Sequence, residues 1–481
     1  SYAKIQPALS PAIGSIAAHV ILTVVALTVG DSPTGRSMVS AHSGAVAGDD
    51  AAWEALFSAY GVHRVRSLDE LVDTLELFAI GRRVRPNTAS AIATVHDSGG
   101  ERALVADMAA TLGVPFAELS PPTRERLTAL LDPGLEPTNP LDVWGRGADT
   151  EGLFRECMSA LADDDSVAAV VVSLDLVEEY DGDESYPLAV EAMLERTSKP
   201  IAVLSNAAAG IDQQQAARLR AAGVPVLEGT ESGLRALRHL LDDSLVRPPR
   251  PSGAVDTSRR QRWRSWLAAA DPDAAMALDV LRDYGLPTAQ TCRASSREAA
   301  VDAAERVGYP VVLKTDEPGV DHKTDVAGVL LGLADSLAVA HAYDDLSDRL
   351  GGRVVVQPQH PAGVELALGV VRDPLLGPLV VVAAGGSLVE LLEQRRVALP
   401  PLSETLAEEL VDRLPVMSTL LAGVRGRPAA NRAAVVQAIV AVSQLALELG
   451  DSLAALDVNP LICGPEGAVA VDALFVPYPS S

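Results

Sequence analysis

Short apolar runs alternate with longer helical patterns in the first half of the chain, from about residue 20 to residue 245. Strands that alternate with helices indicate open, mostly parallel α/β sheets that are covered on both faces. The runs that we interpret as buried strands are VILTVVALTVG (20–30), ASAIATVH (89–96), SVAAVVVSLDL (166–176), KPIAVLSN (199–206) and GVPVLEG (223–229).

A segment rich in Pro, Arg and Ser, VRPPRPSGAVDTSRRQR (246–262), follows this alternating half. It has little apolar pattern, which predicts a linker. The strands of residues 263–481 are less regularly interleaved, so we expect an α+β unit there.

Length and charge exclude several classes of protein. The 481 residues are too many for one compact core. The formal charge of -25 argues against a nucleic-acid partner, because nothing offsets the repulsion from phosphates. The three cysteines are scattered and form neither a disulfide framework nor a metal-binding spacing, which favours a reducing cytoplasm.

One stretch resembles a membrane span in composition, AIGSIAAHVILTVVALTVG (12–30). It contains His19, lacks a basic leading region, and runs into the polar sequence GDSPTG. A buried helix that leads into a buried strand explains it as well as a membrane span of about 20 residues does. We favour the buried form and expect no membrane partner.

Lysine occurs at only four positions, and two of them, Lys314 and Lys323, lie within one ten-residue stretch. The sequence VVLKTDEPGVDHKTDVAGV places Lys314 at the end of a strand, before a glycine-containing loop with His322 and Lys323. A lysine at such a position can pair with nucleotide phosphates as a point charge. It can equally be a surface lysine that follows a strand, and the residues alone leave both interpretations open.

Polar residues and glycines follow in a fixed order. VVVQPQHPAGVELALGV gives a strand, a Pro-interrupted segment suited to the edge of an adenine base, and a second strand with Glu365. In VVAAGGSLVE, Gly385 and Gly386 allow a close approach to a phosphate. Asn459 in LDVNPLI and Asp472 in VAVDAL offer the oxygen ligands that suit Mg²⁺.

Taken in this order, residues from about 275 to 475 resemble the ATP-grasp domain of the NDP-forming acyl-CoA synthetases, which are relatives of succinyl-CoA ligase. That family has a strand ending in Lys, an HKSD-like loop (here HKTD), VQ-x-x-x-x-G-x-E, RDP-x-x-G-P, GG-x-x-x-E, and NPL followed by a strand Asp. One departure is AAGG where GLGG is usual. The resemblance implies phosphate binding, an adenine hinge, a nucleotide contact and Mg²⁺ ligation. The residues concerned are Lys314, Gln357, Pro358, Gln359, Glu365, Gly385, Gly386, Asn459 and Asp472.

The first half resembles the same family. GDSPTGRSMVSAHSGAVAGDD is similar to the segment that carries the phosphorylated histidine, here His42. A neutral imidazole nitrogen can attack phosphorus and pass the phosphoryl group on. The family further implies that the loop histidine, His322, is a second carrier. The alternative is a loop histidine without a role, but of the eight histidines only these two have family-like neighbours in a loop.

Two helix starts are also candidates for the site. VHDSGGERALVAD resembles the family's TNAGG-x-G-x-x-AAD segment, in which Gly99 and Gly100 open a helix whose free N–H groups would stabilise a phosphohistidine. Here Glu101 and Arg102 replace the usual Pro-Gly. Glu231, at the start of a second helix, would orient a histidine or only cap that helix.

The resemblance implies an α/β fold of flavodoxin-like, succinyl-CoA-ligase-type parallel sheets followed by an α+β ATP-grasp domain. We therefore expect a partial succinyl-CoA-ligase-like domain with the phosphohistidine segment at 1–82, a flavodoxin-like CoA-ligase domain at 83–245, the linker, and the ATP-grasp domain at 263–481. Only about 40 residues precede the His42 motif, and they lack a glycine-rich phosphate loop. Omitted residues, a separate CoA-binding subunit or a degenerate protein would each explain this.

The implied function is that of an ADP-forming acyl-CoA synthetase. Its substrates would be a small carboxylic acid, ATP and CoA, with Mg²⁺, and it would form a homo-oligomer or a complex with a CoA-binding subunit. A nucleotide-binding regulatory subunit that lost CoA binding is the main alternative. A ligase with an amine acceptor is disfavoured by the AHSG and NPLDVWG segments.

Overall fold

The computed structural model describes most of the chain, with gaps. It divides the chain into two compact units, which we call unit 1 (Ser1–Ser10, Ala45–Ala59 and Pro248–Ser481) and unit 2 (Pro11–Gly44 and Tyr60–Arg247). The described residues are 23–32, 34–35, 37–38, 50–86, 89–143, 149–178, 184–245, 251, 253–269, 274–320, 323–386, 392, 394–424 and 426–478.

The described residues of unit 2 form two parallel sheets. Strands β1 and β2 pair with each other, and the larger sheet has the order β4-β3-β5-β6-β7 with every pair parallel. The strands are β1 (Val25–Leu27), β2 (His63–Val65), β3 (Ile92–His96), β4 (Leu141–Asp142), β5 (Ala169–Ser173), β6 (Ile201–Ser205) and β7 (Val226–Glu228). The helices are α1 (Asp50–Tyr60, largely in unit 1), α2 (Leu68–Ile80), α3 (Gly99–Leu112), α4 (Pro121–Leu130), α5 (Thr150–Ala162), α6 (Ser185–Arg196), α7 (Gln213–Ala222) and α8 (Thr230–Asp243).

The strands of the larger parallel sheet are apolar at consecutive positions because both faces are covered. In β5, Val170 and Val172 belong to one hydrophobic core, and Ala169 and Val171 belong to another. The first core includes side chains of α4 to α7, and the second includes side chains of α2, α3 and α8. This burial on both sides accounts for the uninterrupted apolar runs in the sequence.

In the part of unit 1 that the structure describes there are two antiparallel sheets, with orders β10-β9-β11-β8 and β14-β13-β12-β15-β16, and β17 also pairs with β15. The strands are β8 (Cys292–Ala294), β9 (Val311–Thr315), β10 (Val329–Leu333), β11 (Val354–Pro358), β12 (Val364–Asp373), β13 (Gly377–Ala384), β14 (Arg395–Ala398), β15 (Leu453–Gly464), β16 (Gly467–Ala470) and β17 (Leu474–Pro477). The helices are α9 (Thr257–Ala269), α10 (Ala274–Asp283), α11 (Arg297–Val307), α12 (Ser336–Arg349), α13 (Glu404–Asp412), α14 (Pro415–Leu421) and α15 (Arg432–Leu449).

Helix α15 lies in the main hydrophobic core of unit 1, against alternate residues of β12 such as Leu366 and Leu368. The stretch Arg432–Ser452 is long and apolar enough to cross a membrane, but 67% of its most apolar window is buried inside the protein. Its hydropathy is therefore explained by its place in the core. The apolar residues 12–22 lie outside the described part of the chain, whereas Val25–Leu27 form a strand.

The last six residues of the predicted linker are helical. Residues 257–262 form the first turns of α9, which is held to α15 by a buried carboxylate, Glu448. Arg259 Nη2 and Tyr284 Oη donate to Glu448 at 2.6 and 2.9 Å. Burial opposes ionisation, but these bonds and one from Gln444 hold the pKa of Glu448 at about 2. The polar composition of α9 led to the prediction of a linker. The segment is helical, and Arg259 of α9 pairs with the buried carboxylate of Glu448.

The observed architecture confirms the expected fold class. Parallel sheets covered by helices make up unit 2, and antiparallel sheets with flanking helices make up unit 1. The apolar runs at 89–96, 166–176, 199–206 and 223–229 contain β3, β5, β6 and β7. Helix α1 packs on the β13–β14 part of unit 1 through Ala52 and Ala55.

Candidate functional site

Lys314 is a buried cation on a central strand of the smaller sheet of unit 1. It lies on β9 between β10 and β11, and only 6% of the residue is exposed. Its Nζ donates to the carbonyl oxygen of Val471 at 2.8 Å, which connects β9 to the segment after β16. Burial lowers the pKa of Lys314 to about 8, Asp472 opposes that shift, and Lys323 adds to it. The protein thus maintains a desolvated ammonium group beside a carboxylate.

A second lysine contacts that carboxylate directly. Nζ of Lys323 donates to both carboxylate oxygens of Asp472, at 2.9 and 3.1 Å. Lys323 begins the turn that leads into β10, and its carbonyl accepts from the amide of Gly328 at 2.7 Å. Lys323 therefore pairs with Asp472, and Lys314 binds the carbonyl of the residue before it, so the two lysines lie in one site, as their closeness in the sequence suggested.

The strand register brings the two predicted metal ligands opposite each other. Leu461 pairs with Ala470, and Asp457 pairs with Leu474, in one continuous antiparallel register. That register places Asn459 opposite Asp472. The amide of Val471 donates to the carbonyl of Pro460 at 3.3 Å, which ties the two segments together at this point.

Glu365 and the two glycines form the neighbouring part of the site. The amide of Gly385 donates to the backbone carbonyl of Glu365 at 2.9 Å, and the amide of Gly386 donates to Oδ1 of Asn459 at 3.1 Å. A Cβ atom on Gly386, whose φ is +57°, would overlap Oε2 of Glu365. Glycine adopts this left-handed conformation without strain, and any larger residue here would have to displace the Glu365 carboxylate. The AAGG motif thus contacts Asn459 through the hydrogen bond from the amide of Gly386.

The predicted adenine hinge lies at the end of β11 beside β9. Gln357 is buried, and its Nε2 donates to the hydroxyl of Thr291 at 2.9 Å. The amide of Gln359 donates to the carbonyl of Pro310 at 3.0 Å, and its Oε1 accepts from the amide of Gly332 at 2.6 Å. Both glutamine side chains therefore anchor the segment within unit 1. Pro358 has no N–H to offer, so base recognition by this segment stays a prediction that would rest on backbone carbonyls.

His360, which sequence reasoning missed, directly follows the hinge. Its Nε2 is buried and has no hydrogen-bond partner among the described residues. Burial and the nearby Lys314 lower the pKa of His360, so the imidazole is neutral at pH 7. A buried nitrogen without a partner beside a buried ammonium fits an absent polar ligand. The only signal in the sequence was its place immediately after Gln359.

The residues of this cluster suit a nucleotide and a divalent cation in their chemistry. Two ammonium groups fit phosphates, and the glycine pair offers close backbone approach. An amide oxygen opposite a carboxylate fits Mg²⁺, which takes few protein ligands. The residues that would hold the nucleotide are Lys314, Lys323, His360, Glu365, Gly385 and Gly386, and those that would hold the metal are Asn459 and Asp472.

The helix start predicted to face a phosphate lies at the carboxyl end of β3 in unit 2. Ser98 caps α3 by accepting from the amide of Glu101 at 3.4 Å, and Gly99 and Gly100 form the first two helical positions. A Cβ atom on Gly99 would lie 3.1 Å from a carboxylate oxygen of Asp142. The phosphate role of both glycines stays a prediction.

Other carboxylates surround this helix start. Burial raises the pKa of Asp97, and Asp175 and Asp142 raise it further by repulsion. Burial, Asp175 and Asp97 also raise the pKa of Glu101, which accepts a hydrogen bond from Nδ2 of Asn206 at 2.6 Å. The dipole of α3 favours an anion here, but the acidic neighbours oppose one.

The three predicted catalytic residues have different outcomes. Glu231 is described, and its side chain is 62% exposed and pairs with Arg235 one turn along α8, at 3.0 Å. Its role in orienting a histidine stays a prediction. His42 and His322 lie outside the described residues, and so their roles as phosphoryl carriers are likewise predictions.

Two family models match the chain. Residues 264–476 match the model described as an ATP-grasp domain, and residues 9–78 match the model described as a succinyl-CoA ligase like flavodoxin domain. The first match contains the Lys314 cluster, and the second contains the His42 segment.

Curated relatives match over most of the chain or over its second half. A trans-feruloyl-CoA synthase from an unknown prokaryotic organism is 27% identical over 94% of this chain and 64% of its own length. The acetate–CoA ligase (ADP-forming) I of Archaeoglobus fulgidus is 28% identical over 93% of this chain and 65% of its own length. The beta subunit of acetate–CoA ligase (ADP-forming) I of Pyrococcus furiosus is 32% identical over 42% of this chain and 89% of that subunit. The chain thus spans less than two thirds of the first two relatives.

Proposed function

The chain belongs to the ADP-forming acyl-CoA ligase family, and from that premise we propose that it joins a small carboxylic acid to CoA while ATP is converted to ADP and phosphate. The reaction would proceed through phosphohistidine and acyl phosphate. Acetate and ferulate are the first acids to test, because they are the acids in the names of the relatives.

The observation that carries the proposal is that Lys323 pairs with Asp472, opposite Asn459, while the buried Lys314 binds the carbonyl of the adjacent residue, Val471. A buried ammonium is costly unless it meets a negative partner, and one carboxylate serves two lysines here. The phosphates of a nucleotide would supply the missing negative charge. The site therefore has the electrostatic balance of a protein that binds a polyanion.

The residues of unit 1 would bind and orient the nucleotide. Lys314 would neutralise its phosphates, and the backbone at Gly385 and Gly386 would approach them closely. Glu365 would contact the nucleotide, and the segment Gln357–Gln359 would bind the base. Bound Mg²⁺, held by Asn459 and Asp472, would supply charge neutralisation at the phosphates. Catalysis in this half would consist mainly of positioning and electrostatic stabilisation.

The phosphoryl group would then move to histidine. We assign His322 as the first carrier and His42 as the one that transfers the group to the carboxylate, in keeping with the family resemblance. Gly99 and Gly100 would stabilise phosphorylated His42 through the free amides of α3, and Glu231 would orient a histidine.

CoA and the protein partner complete the proposal. CoA would attack the acyl phosphate through its thiol as a co-substrate. We infer a homo-oligomer or a complex with a CoA-binding subunit, acting in the cytoplasm. The beta-subunit relative is a separate chain by its name, which makes a multi-chain arrangement reasonable for this protein too.

The test is phosphoryl labelling with γ-labelled ATP and Mg²⁺ in the wild type, His42→Ala, His322→Ala and the control His341→Ala, which changes an exposed histidine on α12. We expect acid-labile, base-stable label in the wild type and in the control. If His322 passes the group to His42, His322→Ala should lose all label, and His42→Ala should keep label on His322 alone. Absence of label on the peptide that contains His42 in the wild type would mean that His42 is not an acceptor.

Complete absence of label in a wild-type chain that binds ATP would contradict the synthetase proposal. That result would favour the alternative, a nucleotide-binding regulatory or degenerate subunit. Adding CoA and the acid to the labelled protein gives a second check, since a competent chain should release its label as phosphate only when both are present.

A further inference from the structure

We propose that the ammonium of Lys323 occupies the place of a divalent cation at Asp472 in the nucleotide-free protein, and that it must leave this carboxylate before metal binds. Lys323 is then a positioning residue that makes metal binding depend on the nucleotide. The inference deepens the proposed function and rests on it, because it takes Asp472 as a metal ligand.

The contact between Lys323 and Asp472 uses the oxygens that a metal would need. The two distances, 2.9 and 3.1 Å, show that one ammonium spans both carboxylate oxygens. The backbone amide of Ala473 also donates to Oδ1 of Asp472, at 3.0 Å. Both groups are well shielded, with 13% of the Lys323 side chain and 25% of the Asp472 side chain exposed. A charged pair so shielded resists displacement more than a surface pair does.

The backbone that carries Lys323 is fixed on the sheet. The amide of Gly328 donates to the carbonyl of Lys323 at 2.7 Å, and the amide of Thr315 donates to the carbonyl of Gly328 at 2.8 Å. A Cβ atom on Gly328 would lie 3.0 Å from that Lys323 carbonyl and 2.7 Å from the methyl group of Thr315. The C-terminal side of the turn is therefore packed onto the end of β9, so rotation of the Lys323 side chain is the simplest way to release Asp472.

Charge balance explains why the lysine and the metal exclude each other. The ammonium of Lys314 donates to the carbonyl of Val471, the residue before Asp472, so one further positive charge already lies next to this carboxylate. A divalent cation at Asp472 with Lys323 still in place would gather four positive charges around one carboxylate. Such crowding in a shielded site is strongly unfavourable. A triphosphate removes the conflict, because its oxygens accept the ammonium that leaves Asp472.

The predicted consequence is positive coupling between metal and nucleotide. Metal alone has to displace Lys323 without offering it a new partner, whereas metal with a triphosphate does not. Replacement of Lys323 by Met keeps a similar chain length but removes the charge. Metal should then bind without nucleotide, and the nucleotide should improve metal binding less than it does in the wild type. Lys323→Arg, which keeps the charge, is the matched control.

The experiment is titration of Mn²⁺, followed by the loss of the free-ion electron paramagnetic resonance signal, with and without β,γ-methylene-ATP. We expect Lys323→Met to bind Mn²⁺ about tenfold more tightly than the wild type without nucleotide, a size typical of coupling between sites. Lys323→Arg should behave like the wild type. Asp472→Asn in the Lys323→Met background should remove the added binding.

Unchanged or weaker Mn²⁺ binding in Lys323→Met would overturn the inference, and so would added binding that survives Asp472→Asn. These titrations without nucleotide are independent of turnover. A chain that makes no acyl-CoA but shows the tighter Mn²⁺ binding would refute the proposed function and leave the role of Lys323 supported.

Discussion

Asn459 lies opposite Asp472 in the register that joins β15 to β16 and β17. The two oxygen-bearing residues are 13 positions apart in the chain and lie opposite each other because one antiparallel register continues on both sides of them. The amide of Gly386 binds Asn459, and the ammonium of Lys323 binds Asp472. The glycine pair and the lysine pair thus meet at a single cross-strand position, which is the centre of the proposed nucleotide site.

Loss of the Asp472 carboxylate should separate metal binding from nucleotide binding. We expect Asp472→Asn to weaken the binding of ATP in the presence of Mg²⁺ by at least about tenfold, because the metal loses a ligand. The affinity for ATP in EDTA should not fall, since a group that repels phosphate has been removed. Calorimetric titration under both conditions measures this. Glu466→Gln, which changes an exposed carboxylate in the β15–β16 turn, should leave both affinities unchanged.

Gly386→Ala should lower the affinity for ATP in addition to the stability that it loses through backbone strain. Gly377, with φ of +78° and open space where a Cβ atom would lie, provides the control. Each alanine costs about 1–2 kcal/mol of stability for its left-handed conformation. Only Gly386→Ala also displaces Glu365, so only that variant should lose ATP affinity. Equal ATP affinities in the two variants, with both folded by circular dichroism, would contradict this account of the glycine pair.

The sequence predicted which residues belong to the site better than it predicted the contacts between them. Lys314, Asn459 and Asp472 followed from motif order, and the continuous apolar runs predicted buried parallel strands in unit 2. The pairing of Lys323 with Asp472 did not follow, because it joins a turn to the segment between β16 and β17, 149 residues away. The helical start of α9 was missed because its polar sequence satisfies Glu448, a buried residue far along the chain.

Asp73 should make unit 2 more stable in mildly acidic solution. Burial raises the pKa of Asp73 from 3.8 to about 6, and nearby Glu76 and Glu228 add to the rise despite hydrogen bonds from Ser232 and the Glu228 amide. The native state therefore holds this proton more tightly than the unfolded state, and stability is lost as pH rises from about 4 through about 6. The shift corresponds to about 3 kcal/mol between pH 4 and pH 7.

Asp73→Asn tests this linkage, because an amide fits the same space without titrating. Urea unfolding at pH 5 and pH 7.5 should show a smaller loss of unfolding free energy in the variant than in the wild type. Asp69→Asn, on the exposed face of the same helix, should keep the wild-type difference. An identical pH dependence in Asp73→Asn and in the wild type would refute the assignment.

Removal of two carboxylates should improve any phosphohistidine site at α3. The raised pKa values of Asp97 and Glu101 reflect burial and repulsion from neighbouring carboxylates, which would also act on a phosphate there. We expect Asp97→Asn with Glu101→Gln to increase the initial rate of His42 labelling at pH 7.5. The gain should shrink toward pH 6, because the wild-type carboxylates become protonated more readily than ordinary ones as pH falls. Asp107→Asn, exposed on the same helix, is the control; a slower rate in the double variant would contradict the idea.

His360 and Asn206 show what the sequence could not provide. His360 becomes notable only in the structure, where its buried Nε2 has no partner among the described residues. The nearby charge of Lys314 also lowers its pKa. Asn206 becomes notable only because it binds Glu101 across 105 residues. Both relationships depend on strand packing, which short motifs do not encode. The order of the motifs therefore predicted the region of the site, and the three-dimensional structure identified the additional residues that lie beside it.

The most direct measurement is the calorimetric affinity of the full chain for ATP with Mg²⁺, compared between the wild type and Lys314→Met. Met fills a similar volume, so the strand should remain packed while the buried charge is lost. Lys199→Met, a lysine of unit 2, serves as the control. The account predicts that Lys314→Met binds ATP at least about thirtyfold more weakly, the loss expected for a charged hydrogen bond to phosphate, while the control binds normally. Wild-type affinity in a folded Lys314→Met variant would contradict the assignment of this cluster as the nucleotide site.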